Sequence, residues 1–448
     1  MNGSEPEAGP GGVRSHADRV SVGHSLGLVI LAVAVFVLYS FGLYAAFTSR
    51  WQGGSDFFPR WSGAQMLFLE GKSPYSLEAT QRTQRALYNG RLAREDEDQV
   101  AFAYPIYAVY FVAPLIFLSY AQALAVWMVM LQFALCAMLG LCMSLYGWRP
   151  AAWLTAATGL WMILNYNSGE AIIVGQLGVI VALMVTLALW SLHAGRDWWA
   201  GAFLALSTIK PQMVFLIIPL LLLWSLTKRR WGVALGFGLA MIALAGSGWL
   251  LVPDWIVQSI AGMQQYARYT AYGGPSWLLT EYYFPFLGRP ANIALTLALV
   301  GYLAWQWRAV WGLHMAGRGM RIPQSEISGA ECGRPSAWPS LWWVTGLTLI
   351  VTQLIAPHTA TANYVILYIP VLFAFSVLDR QFRFGRWYIL AFELGSLVGF
   401  WTLFALTVVP ERGGNLPQED PIMYLPLPLL LLLAFILGRS RLMRVEGG

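Results

Sequence analysis

Three ionisable residues stand where a chain this apolar has little reason to keep a charge: Asp56, Lys210 and His358. Asp56 follows the first apolar run, within Ser55-Asp56-Phe57-Phe58-Pro59-Arg60. A carboxylate in that position reads in two ways. It is a solvated loop residue, or it is a general base held near a membrane interface, within reach of a polar acceptor. Arg60, four residues on, pairs with it if the segment is helical. Lys210 and Pro211 interrupt an apolar stretch from Trp198 to Thr227. An ammonium inside such a stretch costs about 2.5–3.5 kcal/mol on insertion scales, and marks a functional site by default. It either snorkels to headgroups or holds a phosphate as a compact point charge. His358 follows Pro357 and precedes Thr359, Thr361 and Asn363. It is a satisfied structural group or a ligand-binding one.

The elements that position these residues follow from composition. Of 448 residues, 58% are hydrophobic and only 11% charged, against about 25% charged in soluble domains. Too little polar surface remains to cover a water-soluble globule, so the chain reads as an all-α, polytopic integral membrane protein. The 22 Trp and 20 Tyr suit the headgroup zones that many crossings require. The net charge of +6 fits cytoplasmic retention signals, and nucleic acid is not expected as a partner. Cys136, Cys142 and Cys332 offer neither metal spacing nor an evident pair. There is no P-loop and no zinc-type His pair, and the acidic run at 95–98 is a weak metal candidate. No cofactor and no metal is expected.

Apolar runs predict about twelve transmembrane helices in one membrane domain, 24–438. A disordered cytoplasmic tail, 1–23, precedes it, and a basic tail, 439–448, follows. The first outer loop, 48–119, carries two short helices, the second beginning at the N-cap Ser76. Residues 94–98 read as a solvated charge run. Residues 105–118 are too short to span, and their prolines fit a helix lying at the interface. Lys210-Pro211 predicts a broken span, because proline drives the residue before it to extended geometry. A second long outer loop covers 253–290 and a basic cytoplasmic loop 312–337. With both termini inside, most Lys and Arg fall on the cytoplasmic side, as the positive-inside rule requires. Asp56, the polar patch 165–170, Gln176, Lys210, Arg268, Glu281 and His358 then share the outer side. Irregular backbone at membrane depth is tolerated only where it lines protein or a wet cavity, so the breaks imply an outward-opening cavity. The aromatic tract around Tyr269 and Tyr283 is suited to stacking on sugar rings, or is an ordinary interfacial belt.

The order of short motifs resembles a known family. It runs Asp56-Phe57, Gly71-Lys72-Ser73-Pro74-Tyr75, Phe102-Ala103-Tyr104-Pro105, Gly175-Gln176, Ala200-Gly201, Lys210-Pro211 and Lys228-Arg229-Arg230-Trp231. This set resembles glycosyltransferase family 87, the polyprenol-phosphate-mannose-dependent mannosyltransferases of the GT-C fold. The resemblance implies an inverting transferase in the plasma (inner) membrane with its active site facing outward. Its donor would be a polyprenyl-phosphate sugar, most simply mannose, and its acceptor a glycan or glycolipid. Asp56 would be the catalytic base, and Lys210 and His358 would contact the donor phosphate. Substrate contacts are expected from Arg60, Tyr104, Gln176, Arg268, Tyr269, Glu281, Asn363 and Tyr364. Two other classes remain open: a transporter or flippase of a lipid-linked sugar, and a lipid-linked oligosaccharide ligase or polymerase. The absence of an internal repeat weighs against the first, and the few outer arginines against the second.

Overall fold

The computed structural model describes residues 16–51, 53–95, 97–269, 273–316, 338–408 and 419–443. Among them every regular element is helical. About twelve transmembrane helices were expected, and fewer among the described residues are long and apolar enough to span. Six helices among the described residues are long and apolar enough to cross a membrane: Val29–Thr48, Tyr120–Leu145, Trp231–Leu251, Gly288–Trp311, Thr361–Gln381 and Gly385–Thr407. A seventh candidate is the pair Tyr166–Val174 and Gly178–His193, bent by 115°. Shorter apolar helices lie at Ala152–Leu164, Ile217–Thr227 and Pro421–Leu437. The protein is therefore a polytopic helical membrane protein. The segment Thr361–Gln381 is almost wholly enclosed by other helices, whereas Val29–Thr48 is almost wholly exposed on its flanks.

Local chemistry sets the boundaries. The Ser76 hydroxyl accepts from the Ala79 amide and starts the helix Leu77–Leu87. Ser119 and Gln122 form a capping box at Tyr120–Leu145. Close helix crossings rely on missing side chains. A Cβ on Gly201 would lie 2.1 Å from the Val233 carbonyl, and one on Gly236 would lie 2.3 Å from the Trp198 carbonyl. These two glycines let Asp197–Ser207 and Trp231–Leu251 pack backbone to backbone.

Four sequence expectations need correction or refinement. Residues 16–23, expected in a disordered tail, already belong to the first helix, His16–Leu43. The expected interfacial helix at 105–118 is instead two 3-10 turns, Ile106–Phe111 and Ala113–Leu115, with Ile106 to Val109 buried. Pro105 and Pro114 withhold amide donors, and side chains take carbonyls at the end of the segment. Trp61 Nε1 donates to Leu115 O at 3.1 Å, and Gln65 Nε2 to Ile116 O at 2.8 Å. The expected solvated charge run is a structured turn. Glu97 is buried, and its carboxylate accepts from Arg91 at 2.5 and 2.7 Å and from the Arg94 amide at 2.8 Å. Those Arg91 hydrogen bonds, with the one from the Arg94 amide, pull the Glu97 carboxyl down to about 2. The break at Lys210 is as expected in place, and sharper than expected in form: the helix Asp197–Ser207 stops, Pro211–Met213 makes one 3-10 turn, and Ile217–Thr227 begins.

Candidate functional site

Asp56 occupies the N-cap position of the helix Phe57–Glu70, but its carboxylate does not cap that helix. It accepts a hydrogen bond from Gln176 Nε2 instead. Two features bring the residues together across 120 positions of sequence. The Asp56 amide donates to Val174 O at 3.1 Å. Gly175 then ends the helix Tyr166–Val174 at φ +75° and turns Gln176 toward the loop. A Cβ on Gly175 would lie 2.5 Å from that of Phe57, so glycine is required by space as well as by φ. The Gly175 carbonyl is held by Trp127 Nε1 at 3.0 Å. Trp127 itself stacks on Phe57, with ring centroids 5.3 Å apart.

The other end of the Gln176 amide reaches the broken span. Lys210 Nζ donates to Gln176 Oε1 at 2.5 Å and to Asn363 Oδ1 at 2.5 Å. Gly178 permits this approach, since a Cβ there would meet Asn363 Oδ1 at 3.3 Å. The four side chains form one chain of hydrogen bonds: carboxylate, amide, ammonium, amide. Lys210 is 3% exposed and Arg60 1%. Among the described residues neither makes an ion pair with a carboxylate. Arg60 was expected to pair with the Asp56 carboxylate. It donates to the Asp56 backbone carbonyl instead, and to the Tyr104 hydroxyl, with its guanidinium 4.2 Å from the Tyr104 ring centroid. A helix places residue i+4 over the carbonyl of residue i, while the Asp56 side chain turns away toward Gln176. The Arg60 Nε is buried and unpartnered among the described residues. Two buried cations thus flank one carboxylate.

Of the remaining expected residues, His358 lies half-buried in the bend between the helix Trp338–Ile355 and the 3-10 turn Thr361–Leu367 that carries Asn363. Tyr364 is buried, and its hydroxyl donates to Tyr424 O at 2.9 Å, tying it to the last helical segment. Glu281 accepts from Asn292 at 3.0 Å and joins none of the hydrogen bonds around Asp56. Arg268 and Tyr269 close the helix Trp255–Tyr269, and their side chains lie outside the described residues.

One group escaped the sequence reading. The Thr361 hydroxyl bonds both Glu170 and Glu419, and Tyr166 donates to Glu419 at 2.5 Å. Glu170 lay in the expected polar patch. Glu419 did not stand out, because its position before the last apolar run is that of any solvated loop acid. No group of three or more His, Cys, Asp or Glu suited to a metal ion occurs among the described residues.

These features define a polytopic membrane protein with a buried polar site at the break of its spans. The family model of glycosyltransferase family 87 matches residues 102–321 of the chain. The protein is accordingly a membrane glycosyltransferase. No curated protein and no solved structure matches it.

Proposed function

We propose that the protein is a GT-C-type enzyme that transfers a sugar, most simply mannose, from a polyprenyl-phosphate donor to a glycan or glycolipid acceptor on the outer face of the plasma membrane. The observation that carries this reading is the hydrogen-bonded chain from Asp56 through Gln176 to Lys210. It sets a carboxylate and an ammonium on one amide. The ammonium is held by two neutral oxygens, and a buried cation without a carboxylate partner is costly. A donor phosphate supplies the missing anion. His358, in the bend just before the turn that carries Asn363, provides a second contact.

In this mechanism Asp56 takes the proton of the acceptor hydroxyl. The hydroxyl oxygen attacks the anomeric carbon from the face opposite the phosphate. The bond from the anomeric carbon to the phosphate oxygen breaks, and its electron pair stays on the departing polyprenyl phosphate. Lys210 stabilises the charge that grows there. A single displacement through an oxocarbenium-like state inverts the anomeric configuration.

The test uses purified Asp56→Asn protein, labelled polyprenyl-phosphate mannose and membrane acceptor. Transfer is expected to vanish while insertion and thermal stability persist. Retained turnover removes Asp56 from the chemistry. Redistribution of intact donor between leaflets, with no labelled product from the unaltered protein, makes it a flippase.

A further inference from the structure

The helices next to Gln176 and Lys210, Gly178–His193 and Asp197–Ser207, have far ends, and a second feature lies there. Gly178–His193 has 16 residues, about 24 Å of helix. Just beyond its far end, residues 195–199 and 229–232 line an open cavity of about 710 Å3. Arg196, Asp197, Arg229 and Arg230 line it, with Trp198, Trp199 and Trp231 at its rim.

The charges are not balanced. Arg230 Nε donates to Asp197 Oδ1 at 3.0 Å, and Arg230 also holds Leu192 O at 2.6 Å, so this pair is a wall. Arg196 and Arg229 are left. Both are exposed. Arg196 lies 5.2 Å from the centroid of the Trp190 ring, an arrangement that leaves its donors free for an anion. The Arg229 side chain has no polar partner among the described residues, and its backbone is held at φ +58°. A non-glycine residue at positive φ is uncommon, and such strain gathers at ligand sites. Two helices, Asp197–Ser207 and Trp231–Leu251, begin at this cavity, so amide groups lacking intrahelical acceptors face it from both. Gly232 brings the two starts together: a Cβ there would be 2.8 Å from that of Asp197.

The three tryptophans identify the source of the anion. Trp198, Trp199 and Trp231 are each more than half exposed, at the ends of apolar helices where such rings lie among lipid headgroups. A soluble anion would need no such rim. We propose that this cavity binds the phosphate of an anionic phospholipid headgroup, in the leaflet opposite the Asp56 site, through Arg196 and Arg229. The site does not depend on the transferase reading.

Delipidated full-length protein in detergent is titrated with phosphatidylglycerol, phosphatidylcholine or inorganic phosphate, and bound lipid is counted by native mass spectrometry. One saturable phosphatidylglycerol site is expected, with phosphatidylcholine much weaker. The double variant Arg196→Gln/Arg229→Asn should weaken it by about 10- to 30-fold, from the loss of two interfacial charges. Asn is chosen because it tolerates positive φ. The lipid-free thermal midpoint reports that the variant is folded. If it is not, Arg229→Asn alone and Arg229→Lys serve, with loss expected in the first and retention in the second. Equal binding of phosphatidylcholine, or an unchanged affinity in the variants, overturns the proposal. Displacement of the lipid by equimolar inorganic phosphate overturns it in favour of a soluble anion.

Discussion

Gln176 stands between Asp56 and Lys210, with its amide nitrogen on the carboxylate and its amide oxygen 2.5 Å from the ammonium. One neutral side chain therefore fixes the separation of the two charged groups and keeps them from collapsing into an ion pair.

Replacing that spacer should be more damaging than its neutrality suggests. Gln176→Leu leaves the Asp56 carboxylate without this donor and Lys210 with one acceptor instead of two. Buried polar groups left unsatisfied cost about 1–3 kcal/mol each. Transfer should fall about 10- to 100-fold, measured as kcat/KM with purified donor. An unchanged value would mean that the bridge is structural ornament.

Lys210→Met separates function from stability. Removing a buried cation that has no carboxylate partner relieves a desolvation cost, which offsets the two hydrogen bonds lost to Gln176 and Asn363. The thermal midpoint should hold or rise, while transfer falls by about 100-fold or more, as for loss of a group that stabilises a growing anion. A variant that unfolds instead would assign Lys210 to the fold.

Gly175→Ala tests the geometry rather than the charge. The added Cβ meets Phe57 Cβ at 2.5 Å and Trp127 Cδ1 at 3.4 Å, at φ +75°. The left-handed conformation alone costs about 1–2 kcal/mol for an L-residue, and the clash adds to it. A lower thermal midpoint and lost activity are expected together, since the same turn aims Gln176. Circular dichroism melts and transfer assays read the two effects separately.

The turn around Glu97 should respond to acid. Its carboxyl is depressed to about 2 from an ordinary 4.5 by the Arg91 and Arg94 hydrogen bonds. A depressed carboxyl stabilises the folded state above the unfolded pKa and loses that contribution as pH falls toward the folded one. Protection of the 84–100 amides, corrected for intrinsic exchange, should be full above about pH 5 and decline toward pH 2. In Glu97→Gln the dependence should flatten. A wild-type profile already flat over that range would contradict the ion pair.

Much of this site was legible from residue type alone. Asp56, Gln176, Lys210 and Asn363 are polar groups at ends or breaks of apolar runs, and the structure joins them in one hydrogen-bonded chain. What could not be read was direction around each helix. Successive residues in a 3-10 turn are about 120° apart, so Asn363 and Tyr364 are neighbours in sequence, yet one bonds Lys210 and the other Tyr424. Arg60 shows the same limit within one turn: the spacing to Asp56 was right, but the partner is the carbonyl. Glu97 was hidden because a charge run looks solvated until a buried arginine contact is seen. Glu419 was hidden because nothing in sequence links it to Thr361, 58 residues earlier.

The two acceptors of Lys210 also differ in when they exist. Gln176 lies 34 residues before the lysine, and Asn363 lies 153 residues after it. At about 5–20 residues per second of synthesis, the nascent chain holds this ammonium for roughly 8–30 s before its second acceptor has been made. Biogenesis of the site is thus ordered in time: the first half of the chain inserts a half-satisfied charge, and the arrival of the Thr361–Leu367 turn completes it.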